Sequence, residues 1–297
     1  MSRSYLPRNI TYRVVAILLL VVAVIGVGLH FLPSSSFPLF DPKGVIAEKE
    51  RHLILLAITL MSFVVVPVLL LTFWIAWNFR SSNQNATYSP EWDHNVWAEA
   101  VWWAIPCVII LILAVITWTS SHQLDPGRAL ASPKAAITIQ VVALKWKWLF
   151  IYPKSRIATV NFIQFPVDTP INFEITSDAP MNSFWIPQLG GQMYAMPGMS
   201  TNLYLMANQV GSFRGLSANI SGAGFAGMKF TAKSTSQADY ETWTKQVQGS
   251  KTILDAESYV TLTKPSQYAP VQEYSLADDH LYNEVVSKFM DSTMQTQ

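Results

Sequence analysis

At 297 residues the chain has room for two modest domains, or for one domain and a set of membrane segments. Hydrophobic residues make up 51% and charged residues only 13%, which points to a membrane protein; a net charge of +1 gives no basis for a nucleic-acid partner or an acidic polymer. The single cysteine, Cys107, excludes an intrachain disulfide and any metal pair bridged by two thiolates of this chain.

Arg3, Arg8 and Arg13 precede an apolar run from Val14 to Leu32. Residues 1–33 therefore read either as a secretory signal peptide or as a signal anchor that stays as a helix. No A-x-A site follows, and the chain continues into an external segment, 34–52. Leu53 to Phe79 is long enough to cross about 30 Å of hydrocarbon as a helix. Pro67 within it is tolerable where local adjustment re-satisfies the freed carbonyl. Ala100 to Trp118 is a second such run, with Pro106 near its start. Trp74, Trp77, Trp97, Trp102, Trp103 and Trp118 gather toward the ends of these runs, as interfacial belts do. Residues 53–119 thus form a transmembrane helical hairpin around the polar loop from Arg80 to Asn95. Charge counting alone leaves its orientation open, because Lys43, Lys49 and Arg51 oppose the N-terminal arginines.

A linker, 120–135, leads to a stretch with the composition of a soluble domain, 136–234. Ala136 to Leu144 alternates, with Ile137, Ile139 and Val141 on one face, and reads as a half-buried strand. Ile171 to Thr176 and Thr201 to Met206 alternate likewise, with short strands expected at Ser212 to Leu216 and Met228 to Ala232. Short strands separated by turn residues such as Pro180, Pro187, Gly190 and Gly198 predict a β-sandwich or Greek-key barrel. In the last segment, 235–297, Tyr240, Trp243 and Val247 fall at helical spacing, as do Leu281, Val285 and Phe289, so short amphipathic helices are expected.

The stretch from Gly211 to Met228, G-S-F-R-G-L-S-A-N-I-S-G-A-G-F-A-G-M, carries a specific resemblance. It resembles the metal loop of subunit II of the haem-copper oxidases, G-x-aromatic-x-G-x-C-A-E-x-C-G-x-x-H-x-x-M, with the ligands removed. Ser217 and Ser221 stand at the cysteine positions, Asn219 at the carboxylate, Phe225 at the histidine, and only Met228 is retained. The upstream histidine is replaced by Asn182, in Met181-Asn182-Ser183-Phe184-Trp185-Ile186-Pro187. Copper electron-transfer sites need thiolate and imidazole, and a thioether is only a supporting ligand, so no copper is expected here. The run Trp146-Lys147-Trp148-Leu149-Phe150-Ile151-Tyr152-Pro153 is similar to the family's W-x-W-x-F-x-Y-P, which lies near the electron route to copper. With no copper to feed, a packing role is expected for Trp146, Trp148, Phe150 and Tyr152.

Glu99 opens the second apolar run in Glu99-Ala100-Val101-Trp102-Trp103-Ala104-Ile105-Pro106, which resembles the family's E-x-x-W-T-x-x-P but departs from it at Ala104. The resemblance implies a proton-uptake role for Glu99; an ordinary interfacial glutamate is the alternative, since a carboxylate near a helix end reaches water. No histidine falls between Ala136 and Ala232, and no G-x-S-x-G, H-E-x-x-H or phosphate loop is present, so the β-domain is expected to be a scaffold rather than a reaction centre.

Together these features resemble subunit II of a haem-copper quinol oxidase, of the cytochrome bo ubiquinol oxidase branch. The resemblance implies a membrane helical hairpin with an N-terminal signal or anchor, then a cupredoxin-like Greek-key domain without copper and a short helical extension. It also implies a bacterial inner-membrane location with the β-domain on the periplasmic side. Haem and copper would belong to subunit I, ubiquinol would be the substrate of the complex, and subunits I, III and IV and membrane lipid would be the partners, with no soluble cytochrome c. A membrane-anchored cupredoxin-like binding or assembly protein outside any oxidase is the alternative reading.

Overall fold

The computed structural model of the chain describes residues 38–87 and 94–294, with side chains as far as Met290. The expected signal or anchor segment, 1–33, lies outside the described residues. Two compact units emerge: residues 53–120 form one, and residues 38–52 together with the chain from Ser121 onward form the other.

The first unit contains most of two helices, α1 (Val45–Asn78) and α2 (Val96–Gln123), both long and apolar enough to cross a membrane. At about 1.5 Å per residue the shorter one exceeds the thickness of a hydrocarbon core. Phe63, Leu69, Phe73, Ile110 and Leu111 are exposed, as expected of surface that meets lipid or neighbouring helices rather than water. The hydroxyls of Thr59, Ser62 and Thr72 donate back to the carbonyls of Leu55, Ile58 and Val68 at 2.7–2.8 Å, which satisfies them within the helix. At the end of α1, Arg80 stacks over Trp77 at 4.4 Å and donates to its carbonyl, placing a cation at the negative end of the helix.

The second unit starts with residues 38–52. Gly44 bridges Ala207, and a Cβ on Gly44 would fall 2.7 Å from the Leu189 carbonyl oxygen, so only glycine allows this approach. Twelve strands follow: β1 (Ile137–Leu144), β2 (Lys147–Tyr152), β3 (Ile157–Val160), β4 (Phe162–Pro166), β5 (Ile171–Ser177), β6 (Asn182–Trp185), β7 (Met193–Ala195), β8 (Thr201–Leu205), β9 (Gly211–Ser217), β10 (Lys229–Thr235), β11 (Ile253–Leu254) and β12 (Gln272–Leu276). They form a sheet ordered β11-β12-β3-β2-β1-β5-β8 and another ordered β4-β10-β9-β6-β7. The expected cupredoxin-like sandwich is the fold.

One cluster, including Ile139, Val141, Trp148, Phe150, Phe173, Phe184 and Phe230, fills the core to which both sheets contribute. The opposite side chains of β1 to β3, among them Val142, Leu144, Leu149 and Ile151, pack in a second cluster with Leu254, Tyr259, Leu262, Tyr274 and Leu281 of the C-terminal extension. These strands are buried on both faces, which is why β2 after Lys147 reads as a continuous apolar run, Trp148 to Tyr152, rather than an alternation. The extension forms the expected helices α3 (Gln237–Gln248) and α5 (Leu281–Met294), with the shorter α4 (Ala256–Thr263) between them. It also supplies two strands that periodicity did not indicate. β12 pairs antiparallel with β3, and β11 pairs with β12. Lys147, 4% exposed, reaches under the extension to donate to the Lys264 carbonyl at 3.0 Å, at the C-terminal end of α4. Burial holds its ammonium below the ordinary lysine value.

Burial raises the hydroxyl pKa of Tyr152, Tyr240, Tyr259 and Tyr274, and pushes that of Tyr282 up to about 12. A folded value above the unfolded one means that the stability carried by the neutral hydroxyl is intact below a pH of about 10 and is lost as pH rises through the folded values. Urea titrations should therefore give a level midpoint from neutral pH to about 9 and a falling one above 10. Tyr282→Phe should flatten part of that fall; a midpoint that rises above pH 10 would contradict the burial of these hydroxyls.

Candidate functional site

The loop between β9 and β10 is joined to the start of β6. The two strands pair antiparallel with Phe184 opposite Ser217 and Trp185 opposite Leu216, which sets Asn182 beside the end of β9. There the Ser217 hydroxyl lies 3.1 Å from Asn182 Oδ1 and 3.2 Å from the Asn219 carbonyl, and donates toward both. The Asn182 side-chain amide donates to the Pro180 carbonyl at 2.7 Å, and that of Asn219 to the Met181 carbonyl at 2.9 Å. Backbone bonds from Ala218 to Ser183 and from Ser217 to Met228 complete the closure. Asn182 and Ser217 are 1% and 2% exposed, so the neutral centre of this network is buried, with Asn219 half-buried at its edge.

Of the residues that the resemblance sets at copper-ligand positions, the structure brings Asn182, Ser217 and Asn219 together. Ser221 lies further along the loop, where its carbonyl accepts from Trp146 Nε1 at 3.2 Å. Phe225 begins a short 3-10 turn, and Met228 is buried in the main core cluster. The donor set does not fit a binuclear copper centre: amides and hydroxyls replace imidazole and thiolates, and Phe225 offers no donor. Among the described residues no group of three or more His, Cys, Asp and Glu is placed to hold a metal ion.

The aromatic run divides between two roles. Trp148, Phe150 and Tyr152 point into the core, where Phe184 and Phe230 stack at 5.1 Å and Trp148 meets both edge-on. Tyr152 donates to the Gln164 carbonyl at 3.0 Å and packs on Trp243. Trp146 is only half-buried and covers the glycines of the loop: a Cβ on Gly224 would fall 2.3 Å from its indole.

Glu99 stands in the first turn of α2. Asn95 caps that helix by accepting from the Ala98 N–H at 3.1 Å, while Glu99 Oε1 accepts from the Asn95 N–H at 3.4 Å. The same oxygen lies 2.7 Å from His94 Nδ1, and the pair is 60% and 41% exposed. The carboxylate is therefore held at a helix N-terminus, where negative charge is favoured. Sequence reasoning passed over His94, because a spacing of five residues marks no helical face; the contact arises because His94 precedes the cap.

Residues 154–235 match the family model for the cytochrome c oxidase subunit II periplasmic domain, and residues 248–293 match the COX aromatic rich motif. The chain is 50% identical over 262 residues to cytochrome bo(3) ubiquinol oxidase subunit 2 of Pseudomonas putida, covering 88% of this chain and 83% of the relative. It is 50% identical over 251 residues to the Pseudomonas aeruginosa protein of the same name, covering 84% and 76%. Identity to quinol oxidase subunit 2 of Bacillus subtilis is 37% over 265 residues, covering 89% and 82%. Two helices of membrane-spanning length followed by a cupredoxin-like domain define the second-subunit class of the haem-copper oxidases. The chain belongs to the quinol oxidase subunit 2 family, in the cytochrome bo(3) ubiquinol oxidase branch.

Proposed function

We propose that this subunit is the non-catalytic brace of a proton-pumping ubiquinol oxidase in a bacterial inner membrane. Its helical hairpin supports subunit I and its β-domain caps that subunit on the periplasmic side, with subunits III and IV completing the complex. Subunit I carries the haems and copper, which take electrons from ubiquinol and reduce oxygen to water. The observation that carries this reading is the loop from Gly211 to Met228, where hydrogen-bonding amides and hydroxyls occupy the positions of copper donors. A donor that dissolves in the bilayer delivers electrons without a docking site for soluble cytochrome c, so no metal is needed in this loop.

Glu99 is the residue of this chain with a role in the chemistry: it takes up protons for subunit I at the mouth of a path, using the contact to His94. Purification of the tagged chain in mild detergent should bring down a haem-bearing partner with quinol-driven oxygen uptake. A chain that comes away without haem would favour a separate binding or assembly protein. In the assembled oxidase, Glu99→Gln should slow oxygen consumption and proton uptake several-fold with haem content unchanged; unaltered turnover would remove Glu99 from the proton route.

A further inference from the structure

Four methionines meet at one end of the β-sandwich. The register of β6 with β7 sets Asn182 opposite Ala195, and carried one step further it sets Met181 opposite Met196. Side chains so placed share a face, with Cβ atoms about 5 Å apart. The chain then turns through Met196-Pro197-Gly198-Met199, closed by the Met199 N–H, which donates to the Met196 carbonyl at 3.4 Å. Proline in the second place and Gly198 in the third, with φ of 72°, meet the demands of a type II turn, whose end residues lie within about 7 Å of each other. The last turns of α5 run against it: a Cβ on Gly198 would fall 3.3 Å from Phe289 Cβ and 3.7 Å from the Met290 nitrogen.

Met181, Met199 and Met290 are 42%, 50% and 47% exposed, so they fill no gap in the core, the usual task of methionine. Met196 between them is half-buried. Among the described residues of this unit no other methionine is exposed. The backbone that carries them is tied to the sandwich, because the Thr176 hydroxyl donates to the Met196 carbonyl at 3.4 Å and the Asn219 amide to the Met181 carbonyl at 2.9 Å.

Thioether sulfur is a soft, uncharged donor. It suits copper(I), whereas zinc prefers imidazole or thiolate, and magnesium and calcium prefer oxygen. Asp178, three residues before Met181, is already engaged by Tyr259 and Lys288, so the donors on offer at this corner are sulfurs.

We propose that Met181, Met196 and Met199 form a thioether site for copper(I), with Met290 closing it on the side of α5. It is separate from the loop from Gly211 to Met228, and none of the residues that the resemblance sets at copper-ligand positions is a ligand here. The site holds the ion without oxidising or reducing it. The proposal stands on the second unit alone and does not depend on the oxidase reading.

Silver(I) is the probe, a soft monovalent cation that stays in one oxidation state. It is titrated, without chloride, into the full chain carrying Cys107→Ser in detergent micelles, with the methionine methyls labelled with carbon-13; single Met→Leu variants assign the resonances. A saturable shift of the Met181, Met196 and Met199 methyls, with the buried Met228 unmoved, is the expected result. Copper(I) should displace the silver, and zinc(II) should move none of these methyls. Met196→Leu and Met199→Leu should each weaken silver at least about tenfold, a loss that even an outer-shell partner of a metal ligand produces. Thermal unfolding of both variants should match the parent, because leucine keeps the volume of methionine, so weaker binding could not be assigned to misfolding. Shifts that grow without saturating would overturn the proposal, as would saturable shifts confined to other methionines, or equal silver affinity in the parent and both variants.

Discussion

Replacing Asp178 by alanine is expected to lower the unfolding free energy of the β-domain by about 2–4 kcal/mol. The carboxylate is 2% exposed and accepts from Tyr259 of α4 and Lys288 of α5, each at 2.7 Å. It is therefore the point where two helices of the C-terminal extension are fastened to the turn after β5. Alanine would leave the buried Tyr259 hydroxyl without an acceptor, and that penalty dominates. Lys288, 56% exposed, would return to water; Lys288→Met instead keeps the buried carboxylate and its Tyr259 bond but removes the cation, and should cost about 1–2 kcal/mol. Tyr259→Phe should fall between them, because it strips one bond from a buried carboxylate and leaves the other. Urea unfolding of the three variants gives the ranking, and limited proteolysis should cut the extension first in Asp178→Ala. Losses near zero for both Asp178→Ala and Tyr259→Phe would mean that the extension is held by its apolar cluster alone.

How much of this was legible in sequence follows from what each feature depends on. β8 and β9 alternate because one face of each meets the core and the other meets solvent, so their period shows in the residues. β2 does not alternate, because the C-terminal extension covers its second face; the sequence reveals its aromatics but not its strand. Helices α3 and α5 were visible from their spacing, while β12 was not, since its partner β3 lies more than a hundred residues earlier in the chain. The correspondence of the loop from Gly211 to Met228 to a metal loop rests, position by position, on the resemblance alone. The loop's internal wiring, with Ser217 on Asn182, was not legible, because it depends on the pairing of β6 with β9. Asp178 gave no signal at all: its partners lie 81 and 110 residues away and follow no pattern.

The two tryptophans that flank Lys147 should respond very differently to truncation. Trp148 is fully buried, edge-on to Phe184 at 5.5 Å and to Phe230 at 5.9 Å. Those rings are stacked on one another, and Phe230 lies so close to Gly215 that a Cβ there would fall 2.1 Å from it. The surroundings therefore have little freedom to collapse, and Trp148→Ala should cost about 3–5 kcal/mol, toward the upper end. Trp148→Phe should cost about 1 kcal/mol, because the ring volume is largely kept and an indole N–H buried without a partner among the described residues is removed. Trp146 is half-buried over the loop glycines, so Trp146→Ala should cost about 1–2 kcal/mol. Its main effect should be new protease cleavage between Ala218 and Ala226. Urea midpoints and cleavage maps of the three variants separate the roles. If the alanine variants lost equal stability and gained the same cleavage sites, the division of this run between a core anchor and a loop cover would be wrong.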